Sequence, residues 1–351
     1  MKKYVLILAF FGVAVFLSGC SLVPASVPSS SSTPVVVSPS SIMKSTDGGK
    51  NWEPKSKTSG KIKLDSVDVL SVAINPNDSN NVLVGTLKSG IFKTEDGGEN
   101  WSPLVFPAGK VYGLAIDPVD GRIAYASGVW QGRGKLFKTI NGGIEWNEIY
   151  TAPSNGPLII ALTLDKKNPN ILFVSTSDNQ VIKSIDAGNS WKNIYVASSP
   201  VIKIAIDSVD SNLLYLNTLG GSIFVSKNGG EEIIEMDNNN IDNGVSFIES
   251  DPTVTKWVYA AGQIGLFRSK DAGVTWAGIR TLGDSQASPV KAVTINPQKP
   301  TEIIYGAGQA LYKSVDDGVT WMTFQLETKK NVSVLKYDAN NPEVVYLGLR
   351  K

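Results

Sequence analysis

Histidine is absent from this 351-residue sequence, and cysteine occurs once, at Cys20. The first absence excludes a Ser-His-Asp triad and every histidine-ligated metal. A single cysteine cannot make an internal disulfide. If it is modified, no thiolate remains for catalysis or metal binding, so the fold has to be held by packing. Arginine is scarce, with only Arg122, Arg133, Arg268, Arg280 and Arg350. Neither sign of charge dominates, since 33 Lys and Arg stand against 32 Asp and Glu. That balance gives no global bias toward nucleic acid. The apolar run Tyr4 to Leu17 falls short of the roughly 20 residues that a membrane span needs.

"MKK" followed by that run has the form of an export signal over residues 1–19, a charged n-region and a short h-region. It ends in "LSGC", Leu17 to Cys20, which resembles the bacterial lipobox. The resemblance implies that Cys20 becomes the lipidated first residue of an exported protein, anchored to the bacterial cell membrane or outer membrane. The alternative is an ordinary signal peptide with an incidental cysteine. Loss of Lys2 and Lys3 takes the formal charge from +1 to −1. Residues 21–41, "SLVPASVPSSSSTPVVVSPSS", are rich in Ser and Pro and uncharged, so residues 20–41 read as a lipidated cysteine and a solvated tether.

The rest, 42–351, is a repeat. "STDGGKNW" (Ser45 to Trp52) recurs as "TEDGGENW" ending at Trp101, "TINGGIEW" at Trp146 and "SIDAGNSW" at Trp191. "SKNGGEEI" ending at Ile233, "SKDAGVTW" at Trp276 and "SVDDGVTW" at Trp321 complete the set, with spacings of 49, 45, 45, 42, 43 and 45 residues. A catalytic group is rarely needed seven times, whereas a period near 44 residues is that of a propeller blade.

The second unit shows the blade most clearly. "VLSVAINP" (Val69 to Pro76) is a β-branched run closed by Asn-Pro, as a buried inner strand should be. "VLVGT" (Val82 to Thr86) and "IFKTE" (Ile91 to Glu95) follow across short turns, and Trp101 opens an outer strand. The chain starts with a third strand at "IMKS" and ends after a second strand at "VVYLGL". Those fragments complete one blade, which removes the exposed edges of an open stack. The expected fold is therefore all-β: a seven-bladed β-propeller of four-stranded antiparallel blades, closed by pairing the N- and C-terminal strands. The chain is expected to be monomeric and to need no cofactor or metal.

The pattern S-x-D-x-G-x-x-W resembles the Asp box of the BNR repeat families and covers nearly the whole folded region. Physically, Asp47, Asp96, Asp186, Asp271 and Asp316 can accept backbone N–H bonds in a hairpin. Asn141 and Asn228 keep the acceptor without the charge, which suits a structural turn and not a catalytic carboxylate. Gly supplies positive φ and Trp buries a large face between blades.

The octet turns share a face with the turns after the inner strands, so binding is expected on the opposite face, where the units differ. There "SGVWQGRGK" (Ser127 to Lys135) reads as a Gly-rich loop, longer than the corresponding turns, that offers Trp130, Gln131 and Arg133, and Trp and Arg are residue types enriched at interface hot spots. Trp130 can equally fold back as packing. The linker Glu53 to Asp68 carries Lys55, Lys57, Lys61 and Lys63, either to meet an anionic partner or as a solvated, mobile loop. Arg280 and Asp284 form a third candidate.

Three groups share the repeat: xyloglucan-active glycosidases with sialidases, sortilin ectodomains, and propellers like the photosystem II assembly factor. A sialidase-like site resembles a cluster of three Arg with a Tyr and an acid, preceded by an Arg-Ile-Pro motif, and none of the five Arg here is in that motif. Two carboxylates for glycan hydrolysis, such as Asp65 or Asp68 with Asp284, are not marked as a pair. Size and compact loops match the assembly-factor-like propellers. The expected function is a lipid-anchored, non-catalytic scaffold that docks a protein or glycan at the cell envelope. The alternative is a glycoside hydrolase acting on a polysaccharide.

Overall fold

The computed structural model describes residues 35–37, 40–153, 156–237, 241, 244–283 and 287–351. Seven sheets each contain four antiparallel strands, and the blades form a β-propeller. Blade 2 runs Val69–Asn75, Asp78–Thr86, Ile91–Thr94 and Ser102–Pro103 from the inside outward. Blades 3 to 7 repeat that order, with inner strands Lys110–Ile116, Ile159–Leu164, Val201–Ile206, Val245–Ser250 and Val290–Ile295.

Blade 1 closes the ring. Its two inner strands, Asn331–Tyr337 and Val345–Arg350, come from the C-terminus, and its two outer strands, Ile42–Ser45 and Glu53–Pro54, from the N-terminus. Ile42 pairs with Gly348 and Ser45 with Val345. Apolar packing fills both flanks of this blade. Met43, Leu347 and Tyr337 meet Ile304 and Phe324 of blade 7, and Ile42 and Tyr346 meet Val69, Val84 and Trp101 of blade 2. The core thus lies between blades rather than in one centre.

The described residues of the stretch read as a tether, 35–37, 40 and 41, are engaged with the propeller. Val35–Val37 forms a strand parallel to Met322–Leu326, the outer strand of blade 7. Ser40 and Ser41 are buried, and Ser41 Oγ donates to the Val67 carbonyl at 2.8 Å. Lys330 Nζ, also buried, donates to Ser41 Oγ at 2.7 Å and to the Val67 carbonyl at 2.5 Å, fastening the start of the domain to its last linker.

The octets are hydrogen-bonded turns. In the first, Ser45 Oγ donates to Asp47 Oδ1 at 2.8 Å and accepts from Gly49 N at 2.7 Å, while Asn51 N donates to the same Oδ1 at 2.9 Å. Gly49 has φ +92°, and a Cβ there would lie 2.5 Å from Ile304 Cδ1 of blade 7, so glycine suits the position in both conformation and space. In five octets the seventh residue also donates a side-chain hydrogen bond to the second carboxylate oxygen: Asn51, Asn100, Ser190, Thr275 and Thr320, at 2.5 to 2.8 Å. Where the third residue is Asn141 or Asn228, the seventh is Glu145 or Glu232. An amide there presents N–H where the carboxylate presents oxygen, and the partner changes from donor to acceptor.

A cation just before six of the seven octets fastens its blade to the next. Lys44, Lys93, Lys138 and Lys183 donate to the carbonyls of Gly97, Gly142, Ala187 and Gly229 at 2.9, 2.9, 3.1 and 2.8 Å. Lys313 does the same to Gly48 at 2.6 Å. In blade 6, Arg268 instead makes a two-pronged pair with Asp317, Nη2 to Oδ2 at 2.8 Å. Val225 takes this position in blade 5 and packs as a buried apolar residue.

Candidate functional site

The inner strands of all seven blades surround an axial cavity of about 460 Å³. Its walls are mostly apolar, with Leu70, Leu114, Leu162, Ile202 and Val334 among them, and Tyr112 on one side. The turns after the inner strands, including Pro76, Pro118, Lys166, Pro252 and Pro297, form its mouth. That mouth is on the octet side, because octet backbones bond to those turns: Gly97 N to the Asn80 carbonyl and Gly142 N to that of Arg122, at 2.9 and 2.8 Å. This axial cavity therefore opens on the face opposite the one expected to differ between units.

Three inner strands put charge into this lining. Glu249 receives Lys203 Nζ at 3.0 Å on one carboxylate oxygen and Lys336 Nζ at 3.7 Å on the other. Lys203 also lies 4.9 Å from the Phe247 ring centre. Burial alone would raise the Glu249 pKa, but the Lys203 and Lys336 ammoniums overcome it and hold the carboxyl at about 2. Lys166 stands at the mouth. Water reaches its side chain, yet protein surrounds it, and this desolvation together with repulsion from Lys336 brings its pKa to about 8.

None of these four residues was singled out in the sequence, although the signal was present. "VIKIAID", "VSFIESDP" and "VSVLKYD" each carry a charge within an otherwise apolar inner strand, as "VKAVTINP" also does at Lys291.

The residues that were singled out are dispersed around the ring. Ser127 to Lys135 is not a long loop: Ala124–Trp130 and Arg133–Thr139 are extended strands joined by a two-residue turn with Gln131 and Gly132 at φ +52° and +74°. Trp130 remains 40% exposed at the end of this hairpin. Arg133 is less free, because its guanidinium donates to the Ala152 carbonyl, Nε at 2.8 Å.

The lysine linker is likewise pinned. Lys55 is paired with Glu53 at 3.0 Å and with Glu99 at 2.5 Å, so it joins blades rather than awaiting a ligand. Trp101 N donates to the Lys57 carbonyl and Ser59 N to that of Trp101, both at 2.9 Å, which holds the segment along blade 2. Lys57, Lys61 and Lys63 are exposed there. Arg280 borders a second cleft of about 450 Å³ between blades 6 and 7, with Arg268, Lys270, Trp276 and Asp317. The Arg280 carbonyl accepts from Trp321 Nε1 at 2.7 Å. Cys20 and Asp284 lie outside the described residues. Among those residues, no group of three or more acidic, Cys or His side chains could hold a metal ion.

No protein-family model matches the chain. A stretch of 111 residues is 22% identical to vacuolar protein sorting/targeting protein 10 of Sordaria macrospora, covering 30% of this chain and 7% of that protein. Among solved structures, the chain is similar to the GH74 xyloglucanase from Xanthomonas campestris, with TM-score 0.66 and 15% identity, over 81% of this chain and 51% of the enzyme. It is also similar to YCF48 from Cyanidioschyzon merolae, with TM-score 0.61 and 16% identity, over 80% and 95% of the two chains. A structure of YCF48 bound to a D1 peptide gives 0.60 and 15%, over 82% and 94%. The chain thus spans about half of the xyloglucanase and a small part of the sorting protein, while matching YCF48 over almost its full length. These likenesses define a seven-bladed β-propeller.

Proposed function

We propose that this chain is a non-catalytic binding scaffold that docks a protein partner at the bacterial cell envelope, anchored through a lipid on Cys20. The supporting observation is the state of Glu249. Glycoside hydrolysis needs one carboxylic acid that keeps its proton and a second carboxylate roughly 5 to 9.5 Å away. Glu249 is held ionised by two lysines, which suits holding charge and not donating a proton. The other carboxylates of the cavity lining, Asp165 and Asp207, accept turn N–H groups, from Lys167 at 2.8 Å and from Val209 at 2.9 Å.

A protein partner is favoured over a glycan by the similarity to a propeller bound to a peptide. The octets, as Asp boxes, then serve the scaffold. Docking uses Trp130 and Gln131, which a tight hairpin presents with little entropy left to lose.

The test has two arms. Envelope proteins crosslinked to the full chain should be retained by wild type and lost on Trp130→Ala at unchanged melting temperature, and Cys20→Ser should release the chain from the membrane fraction. Reducing sugar released from xyloglucan by wild type but not by Glu249→Gln would replace this reading with the hydrolase.

A further inference from the structure

The charges of the axial cavity do not balance. Lys166, Lys203 and Lys336 bring three ammoniums around one carboxylate, Glu249. Lys167, Asp165 and Asp207 complete the charged lining, four lysines to three carboxylates in all, and their polar atoms are engaged in the turns. Asp165 Oδ1 accepts from Lys167 N at 2.8 Å and Ser211 Oγ at 2.9 Å. Asp207 accepts from Val209 N at 2.9 Å and Lys256 N at 2.8 Å. Lys167 Nζ donates to the Val209 carbonyl.

A tie that served only to brace blades 5, 6 and 1 across the axis would pair its charges. Here the excess lies toward a water-accessible mouth, and like charges held together in a walled space favour an anion that compensates them. Aliphatic side chains give the rest of the lining apolar surface, with the hydroxyls of Ser71, Thr163, Thr294 and Ser333 among them, and its volume of about 460 Å³ is that of a small-molecule site.

We infer that the axial cavity binds a small carboxylate with an apolar body, the carboxylate among Lys166, Lys203 and Lys336 and the body against Leu114, Leu162 and Val334. Each half of the ligand answers one half of the lining. Inorganic phosphate would satisfy the lysines and leave the apolar walls against water. An alcohol with the same body would cover the walls and leave the ammoniums uncompensated. Glu249 competes with the ligand for the lysines while keeping them in place. The site is on the octet side, so it stands whether or not Trp130 docks a partner.

Calorimetric titration of the full chain with 3-phenylpropanoate, 3-phenylpropanol and inorganic phosphate tests this. The carboxylate should bind with one-to-one stoichiometry and at least about tenfold more tightly than either comparator. Lys203→Gln and Lys336→Gln should each weaken it about tenfold or more, whereas Lys336→Arg should retain it within a few-fold. Glu249→Gln should tighten it severalfold, the opposite of what loss of a purely structural tie would do to the melting temperature. No saturable heat, equal binding of the alcohol or of phosphate, or glutamine variants that bind as wild type does while melting normally would each overturn the assignment.

Discussion

Lys313 Nζ donates to the Gly48 carbonyl at 2.6 Å, and Tyr337 Oη reaches the same oxygen at 3.2 Å. Lys313 is on the third strand of blade 7, Gly48 in the first octet. This contact between distant parts of the sequence has the same form as the Lys44 and Lys93 contacts between consecutive units. The ring is therefore closed by the same bond that joins blades 1 to 5 in succession. Lys313 is 2% exposed, and Glu302 lies 3.6 Å from its ammonium.

Lys313→Met keeps the length and the apolar stem but removes the ammonium, leaving the Gly48 carbonyl to Tyr337 Oη alone and Glu302 to Lys299 and Asn296. It is expected to destabilise the domain by about 1 to 3 kcal/mol. Urea denaturation followed by tryptophan fluorescence measures the loss, and a midpoint equal to wild type would remove the closing role of this bond.

Deleting residues 42–54 takes both outer strands from blade 1 and exposes Val345–Arg350 as an unpaired edge. Such an edge invites association. Aggregation, or a large fall in melting temperature, is the expected result in light scattering and calorimetry. A soluble monomer that melts like wild type would contradict closure through this blade.

Asp96 accepts from both the backbone and the side chain of Asn100, at 2.9 and 2.8 Å. Asp96→Asn alone brings two amide groups together and should cost about 1 kcal/mol. Adding Asn100→Glu recreates the residue combination of the third octet, Asn141 with Glu145, and puts an acceptor opposite the new amide N–H, so it should recover most of that loss. A double-mutant cycle in urea reads the coupling, which should be favourable by at least about 0.5 kcal/mol. Additive effects would mean that the exchange in the natural octets carries no energetic link.

The same turns set a pH dependence. Side-chain and backbone hydrogen bonds from Asn100 hold Asp96 at about 2, and those from Ser190 hold Asp186 at about 2, below the ordinary value of 3.8. The unfolded chain therefore binds more protons than the folded one in this window. Stability from these groups is complete above about pH 4 and is lost as pH falls toward 2. Melting temperature recorded from pH 5 to pH 2 should fall, and less steeply in the Asp96→Ala, Asp186→Ala double variant. Parallel curves would assign the acid sensitivity to other carboxylates.

Much of the fold was legible because it recurs. Seven octets and seven inner strands fixed the blade count, and the incomplete units at the two ends implied the closure. The hairpin at Trp130 was misread as a loop because of its glycines. A Cβ at Gly128 would lie 2.6 Å from the Lys110 carbonyl oxygen, and one at Gly134 would lie 2.5 Å from that of Pro157. Those glycines permit close backbone approach within strands and do not mark a turn. The basic residue ahead of six octets was visible but passed over, since nothing local says that its ammonium reaches the next blade.

What the sequence determined by itself is whatever depends on neighbours within one repeat: strand periodicity, turn chemistry and the hydrogen bonds of each octet, all local consequences of residue type and spacing. Only the tertiary structure decided which repeats meet. Lys203, Glu249 and Lys336 belong to blades 5, 6 and 1, and each alone is a charge breaking an apolar strand. Closing the ring turns those strands toward a common axis, where charges far apart in the chain come within a few ångströms. Coulomb interaction depends on that separation and on the medium between the groups, and neither exists until the blades are assembled.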